Sequence, residues 1–101
     1  MKYSKLIEAQ NRFSNMIARL ILYAQDLGYY VTCGDFCATE GHRKNSKHYI
    51  RLAGDLNLFK DGEYLKKTID HLPLGLYWES IGGTWGGRFK RPDGNHYEVK
   101  L

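Results

Sequence analysis

The sequence predicts an α+β fold, with a small, mostly antiparallel sheet packed against helices. Three observations lead there. A long N-terminal stretch repeats its apolar residues every three or four positions, two later stretches have strand character, and a proline-led helical stretch lies between those two. At 101 residues the chain is expected to be one domain, 1–101, with a single modest core.

The elements follow in order. Ser4 can cap a helix that runs to about Leu27 and stops at Gly28. Its apolar positions Leu6, Ile7, Phe13, Met16, Ile17, Leu20, Ile21, Ala24 and Leu27 make one wide face, as a core helix requires. The polar side carries Glu8, Arg12, Arg19 and Asp26, whose mixed signs do not suit a membrane-surface helix. Tyr29 to Thr32 is a short β-prone segment, and Cys33 to Lys47 is a polar loop. Arg51 to Phe59 predicts a strand, and Lys60-Asp61-Gly62 a turn. A second helical stretch is expected over Glu63 to His71, and Pro73 opens another helix that ends at Gly82-Gly83. Thr84 to Gly87 is expected as a glycine-rich loop and Pro92 to Asn95 as a turn. His96 to Leu101 alternates as a terminal strand, with His96, Glu98 and Lys100 on one face.

Composition narrows the function. The chain is 43% apolar and 26% charged with a net charge of +4, ordinary values for a globular domain with a lean toward anionic partners. Neither a signal peptide nor a run of ~20 apolar residues is seen, so synthesis in the cytoplasm is expected, without stable membrane association. Mixed charge on the helices does not suit nucleic-acid binding. Cys33 and Cys37 are too few for a disulfide scaffold or a structural zinc site and read as free thiols.

Chemistry concentrates in two clusters. Ser46-Lys47-His48 is followed by Asp55, and near the end stands Asp93-Gly94-Asn95-His96. Two imidazoles and one carboxylate are the donors of a catalytic Zn2+ site, which keeps a fourth position open for water. A second carboxylate off the metal would take the proton from that water and pass it to a leaving amine. His48 and Asp55 can flank one end of such a site, His96 can arrive from the terminal strand, and Asp93 in its tight turn suits the base. Each signal has a plainer reading: Asp93-Gly94 is a turn signature, and Asp55 could be a paired acid. His42 and His71 are read as surface or hydrogen-bonded residues. For Trp85 with Gly86-Gly87 two accounts stand, a substrate wall and a core tryptophan with turn glycines. Asp55-Leu56-Asn57 with Asp61-Gly62 fails as a calcium loop, because the glycine offset is wrong and the bidentate Glu is missing.

The run from Ser46 to Leu56 resembles the Ser-x-His, six residues, Asp-Leu signature of the D-alanyl-D-alanine carboxypeptidases and phage L-alanyl-D-glutamate endopeptidases. Trp85-Gly86-Gly87-Arg88-Phe89 with Asp93-x-x-His96 is similar to that family's second motif, and the resemblance covers about Gly34 to Glu98. It implies a zinc peptidase with its metal at the sheet, held by His48, Asp55 and His96, and Asp93 as catalytic base. The implied substrate is the peptidoglycan stem peptide, with the L-Ala–D-Glu bond the expected target of an endolysin-type monomer acting on the wall after release. A D-Ala-D-Ala carboxypeptidase and a non-catalytic zinc-containing module are the alternatives. Relatives often carry a Tyr-Arg pair where this chain has Cys37-Ala38, so Arg43 is the substitute candidate for an oxyanion partner. Arg51 stands where many relatives have glycine and is expected to narrow or recharge the approach to the metal. Trp85, Gly86 and Arg51 are the candidate substrate contacts.

Overall fold

Ser4 does cap the first helix, its Oγ accepting from the Ile7 N–H at 3.2 Å. A computed structural model describes residues 2–36 and 50–101. Helix α1 spans Lys5–Asp26 and buries Ala9, Phe13, Met16, Leu20 and Ala24 along one stripe. Gly28, at φ +92°, then turns the chain into strand β1, Tyr30–Cys33. Strand β2, Ala53–Lys60, is the long strand on which the rest assembles.

The first departure from expectation follows. Asp61 and Gly62 both have positive φ, +54° and +78°, the backbone of a two-residue hairpin loop. Such a loop sends the chain back along the strand it left. Glu63–Leu65 is therefore strand β3, paired antiparallel to β2, not the start of a helix. Only Thr68–His71 of that stretch is helical, as a single 3-10 turn. Helix α2 spans Leu72–Ser80, with Pro73 in its first turn. Gly82, at φ +101°, closes it.

The second departure concerns Thr84-Trp85, which is a short strand, β4, rather than loop. It pairs with β5, His96–Glu98, bringing Trp85 opposite Tyr97. Gly86–Arg88 forms a 3-10 turn. Strand β5 stops three residues earlier than its alternation predicted, though Val99 N–H still reaches the Leu52 carbonyl at 2.9 Å.

Among the described residues the sheet order is β1-β2-β5-β4, with β3 also on β2. Strand β5 pairs with the first residues of β2 and β3 with the last, so the two lie end to end along one edge of β2 while β1 holds the other. Both helices pack on one side. The core joins the α1 stripe to Leu56 and Leu58 of β2, Leu74 and Trp78 of α2, Trp85 and Tyr97. Because side chains alternate along a strand, Asp55, Asn57 and Phe59 point away from that core. The opposite side of the sheet is left for chemistry. Among the described residues no helix is long and apolar enough to cross a membrane.

Candidate metal centre

Asp55 and His96 face each other across the β2–β5 pair. The backbone of Asp55 is spent on the other edge, where its N–H reaches Asp35 O at 3.1 Å and its carbonyl accepts from Gly34 N–H at 2.8 Å. Toward β5 it is thus one of the non-hydrogen-bonded pairs, in which facing side chains approach most closely. His96 Nδ1 lies 3.4 Å from Asp55 Oδ1. The other ring nitrogen, Nε2, is 2.9 Å from Glu98 Oε1. Glu98 is two residues along the same strand face, so its placement follows from β geometry alone.

Asp93 joins them from the turn before β5. One donor atom each from Asp55, Asp93 and His96 lies within 4.8 Å of the other two. His96 is buried and Asp55 half-buried, while Asp93 is exposed. An imidazole nitrogen and carboxylate oxygens are a borderline-to-hard donor set suited to zinc. The Glu98 contact fits as well, since ligating histidines donate their second N–H to a carboxylate or carbonyl. The residues present are therefore chemically suited to the metal.

Without a metal, burial acts to lower the His96 pKa. The hydrogen bonds to Asp55 and Glu98 and their charges outweigh it, raising the value to about 9. Phe89 leans over the imidazole, its ring centre 5.4 Å away, and covers one side of it.

The turn is held by close packing. Asp93 N–H donates to Gly86 O at 2.9 Å, and His96 N–H to Asp93 O at 3.1 Å. A side chain at Gly86 would put a Cβ 2.3 Å from Asp93 O and 2.8 Å from His96 Cβ. One at Gly94 would lie 2.5 Å from Thr68 Cα. Trp85 Nε1–H donates to Gly94 O at 2.7 Å. These contacts choose between the two accounts of Trp85. At 3% exposure it presents almost no surface to a substrate; it is a core tryptophan that holds the metal-site turn from beneath. Gly86 belongs to the same support, as the position where that turn needs close backbone approach.

Arg51 stands two residues before β2. Its φ of +57° lies in the left-handed region that glycine occupies most easily. It lines a hollow of about 420 Å³ with Ile7, Gln10, Asn11, Phe13 and Ser14 of α1 and with Phe36. Among the residues that line it none is Asp55, Asp93 or His96. His48 and Arg43 lie outside the described residues, as do His42 and Cys37.

His71 is buried and hydrogen-bonded, with Nδ1 2.8 Å from the Tyr97 hydroxyl. Burial lowers its pKa against the opposing pull of the Leu65 carbonyl and Asp70. Burial likewise pushes the Tyr97 hydroxyl up. Both residues are neutral parts of the core beneath the site. The sequence reading gave no role to Glu98 or Phe89. For Glu98 a signal existed, its shared strand face with His96; for Phe89 only packing reveals the contact.

Comparison with known proteins agrees with this geometry. A search of solved structures finds the Serratia marcescens L-Ala D-Glu endopeptidase ChiX, at 16% sequence identity and a TM-score of 0.59. The match covers 99% of this chain and 90% of that one, which establishes a shared fold. No curated protein sequence gives a match. The family model described as D-alanyl-D-alanine carboxypeptidase matches residues 39–99, a span that holds both clusters. The chain belongs to the D-alanyl-D-alanine carboxypeptidase family, and is a peptidase of peptidoglycan.

Proposed function

We propose that this chain is a zinc-dependent peptidase that cuts within the peptidoglycan stem peptide, at the L-Ala–D-Glu bond. The observation that carries the metal is the cross-strand Asp55–His96 pair with Asp93 within 4.8 Å. In this reading His48, Asp55 and His96 hold the ion. Zinc so held would supply a Lewis acid for the scissile carbonyl and a lowered pKa for the attacking water. Asp55 and His96, fixed on adjacent strands, keep two donors in place without rearrangement. Asp93 is the exposed member of the group and sits on a turn, so its carboxylate is the one able to meet water and substrate. It takes the proton of the attacking water and returns it to the leaving amine.

The bond preference draws on the likeness to the Serratia marcescens L-Ala D-Glu endopeptidase, which shares the fold at 16% sequence identity.

Purified protein, with and without chelator, is to be incubated with peptidoglycan fragments and the new termini read by mass spectrometry. Metal-dependent L-Ala carboxyl and D-Glu amino ends are expected. Free D-Ala instead would establish the carboxypeptidase, and no metal-dependent product would reject both. In parallel, Asp93→Asn is expected to retain stoichiometric zinc while turnover falls about 10²–10⁴-fold. Unchanged turnover would remove Asp93 as the base.

A further inference from the structure

Three aromatic side chains form a row on the side of the sheet that carries Asp55 and His96. Tyr30 of β1 is opposite Phe59 of β2, and Phe59 is opposite Tyr64 of β3. Directly paired residues project to the same side of a sheet, so the three rings cross three adjacent strands in line. Tyr30 is 79% exposed and Tyr64 48%. The Phe59 and Tyr64 ring centres are 5.0 Å apart at 32°, a broad surface rather than an interlocked core pair. Between this row and the metal residues lie Thr32 and Asn57, opposite one another on the same side. Tyr64 O–H donates to Asn57 Oδ1 at 3.4 Å. Asp55, Asn57 and Phe59 alternate along β2, which puts the row about 13 Å from Asp55 at ~3.3 Å per residue.

Exposed aromatic rings cost free energy in water and are seldom left in line without use. The side chains of this stretch are rings, hydroxyls and an amide. Rings present flat apolar faces to the C–H faces of pyranose sugars, while hydroxyl and amide groups between them can exchange hydrogen bonds with sugar hydroxyls. The row shares strand β2 with Asp55, and the substrate of the proposed peptidase is a peptide borne on sugars.

We propose that Tyr30, Phe59 and Tyr64, with Thr32 and Asn57, form a glycan-binding platform. It would hold the amino-sugar strand of peptidoglycan while the attached stem peptide lies across Asp55 and His96. The choice of sugar rests on the peptidoglycan-peptidase reading; the ring geometry does not. This platform gives a small catalytic domain wall affinity of its own.

The test is an amide NMR titration of the full chain with N-acetylglucosamine–N-acetylmuramic acid tetrasaccharide bearing no peptide. Shifts are expected at Tyr30, Thr32, Asn57, Phe59 and Tyr64. Tyr30→Ala and Tyr64→Ala are each expected to weaken binding about 2–12-fold, as loss of one stacked ring predicts. Tyr30→Phe, which keeps the ring, should restore it. Tyr3→Ala, at an exposed ring outside the row, should leave it unchanged. No sugar-dependent shifts, shifts confined to other surfaces, or alanine variants that bind like wild type would overturn the proposal. Shifts along the row that depend on protein concentration without sugar would assign the surface to a second copy of the chain, and overturn it too. Because the probe carries no peptide bond to cut, failure of the cleavage assay would leave this result readable.

Discussion

Removal of the Glu98 carboxylate tests how the site prepares its histidine. Glu98 is 14% exposed at its side chain and meets His96 Nε2 at 2.9 Å. The contact does two opposing things. It fixes Nε2 as the nitrogen that carries hydrogen, leaving the Nδ1 lone pair toward Asp55, and supports of this kind are worth about 10–100-fold in metal affinity. It also helps raise the His96 pKa to about 9, so at pH 7 a proton must leave before metal binds. Displacing it across two pH units costs about 2.7 kcal/mol, or about 100-fold in apparent affinity. Glu98→Ala removes both effects. Above pH 9.5, where the proton no longer competes, the full 10–100-fold loss is expected, about 1.4–2.7 kcal/mol. At pH 7 the loss shrinks, because the variant's imidazole gives up its proton more easily. Glu98→Gln keeps an acceptor without the charge and should fall between. Zinc affinity is to be measured by competition with a chromogenic chelator across pH 6.5–10, with circular dichroism to establish that each variant is folded. A folded Glu98→Ala protein that binds zinc like wild type above pH 9.5 would refute the reasoning.

Two further outcomes follow from the same site. The metal-free protein should lose stability as pH rises: protonated His96 between Asp55 and Glu98 stabilises the fold fully below its ordinary value of 6.5, and that stabilisation is lost as pH passes through about 9. Urea unfolding with chelator present should therefore give a lower midpoint at pH 9.5 than at pH 6.5, and a rising midpoint would contradict the assignment. Gly86→Ala forces a Cβ against Asp93 O and His96 Cβ, so a stability loss of about 1–3 kcal/mol and a larger, disproportionate loss of zinc affinity are expected. Thermal unfolding and chelator competition separate the two effects, and a variant with wild-type zinc affinity would show that the turn does not set the site.

Much of this protein is written locally. Ser4, the α1 stripe, the Asp61-Gly62 turn and the Pro73 start depend on near neighbours and stand where the sequence places them, except that Ile7 and Leu27, expected on the α1 core face, are exposed. The fold class follows from their order. The failures also have local causes. Glu63–Leu65 has enough helix-compatible residues to read as helix, but a loop with two positive φ values leaves it only one partner, β2. Thr84-Trp85 looks like loop because two residues carry no periodicity; it is a strand only because Tyr97 lies opposite.

The candidate site divides the same way. Residue type and spacing were enough to single out Asp55, Asp93 and His96, since donor chemistry is a property of side chains. Sequence could not tell which groups surround them. Register alone puts Asp55 across from His96 and Tyr30 in line with Phe59, because these pairings join residues 41 and 29 positions apart and no local pattern records them. Packing turned Trp85 inward to hold the metal-site turn and set Arg51 against α1. Chemistry was chosen by the sequence, and position by the tertiary structure, since a side chain's identity is local while its neighbours are decided by the whole fold.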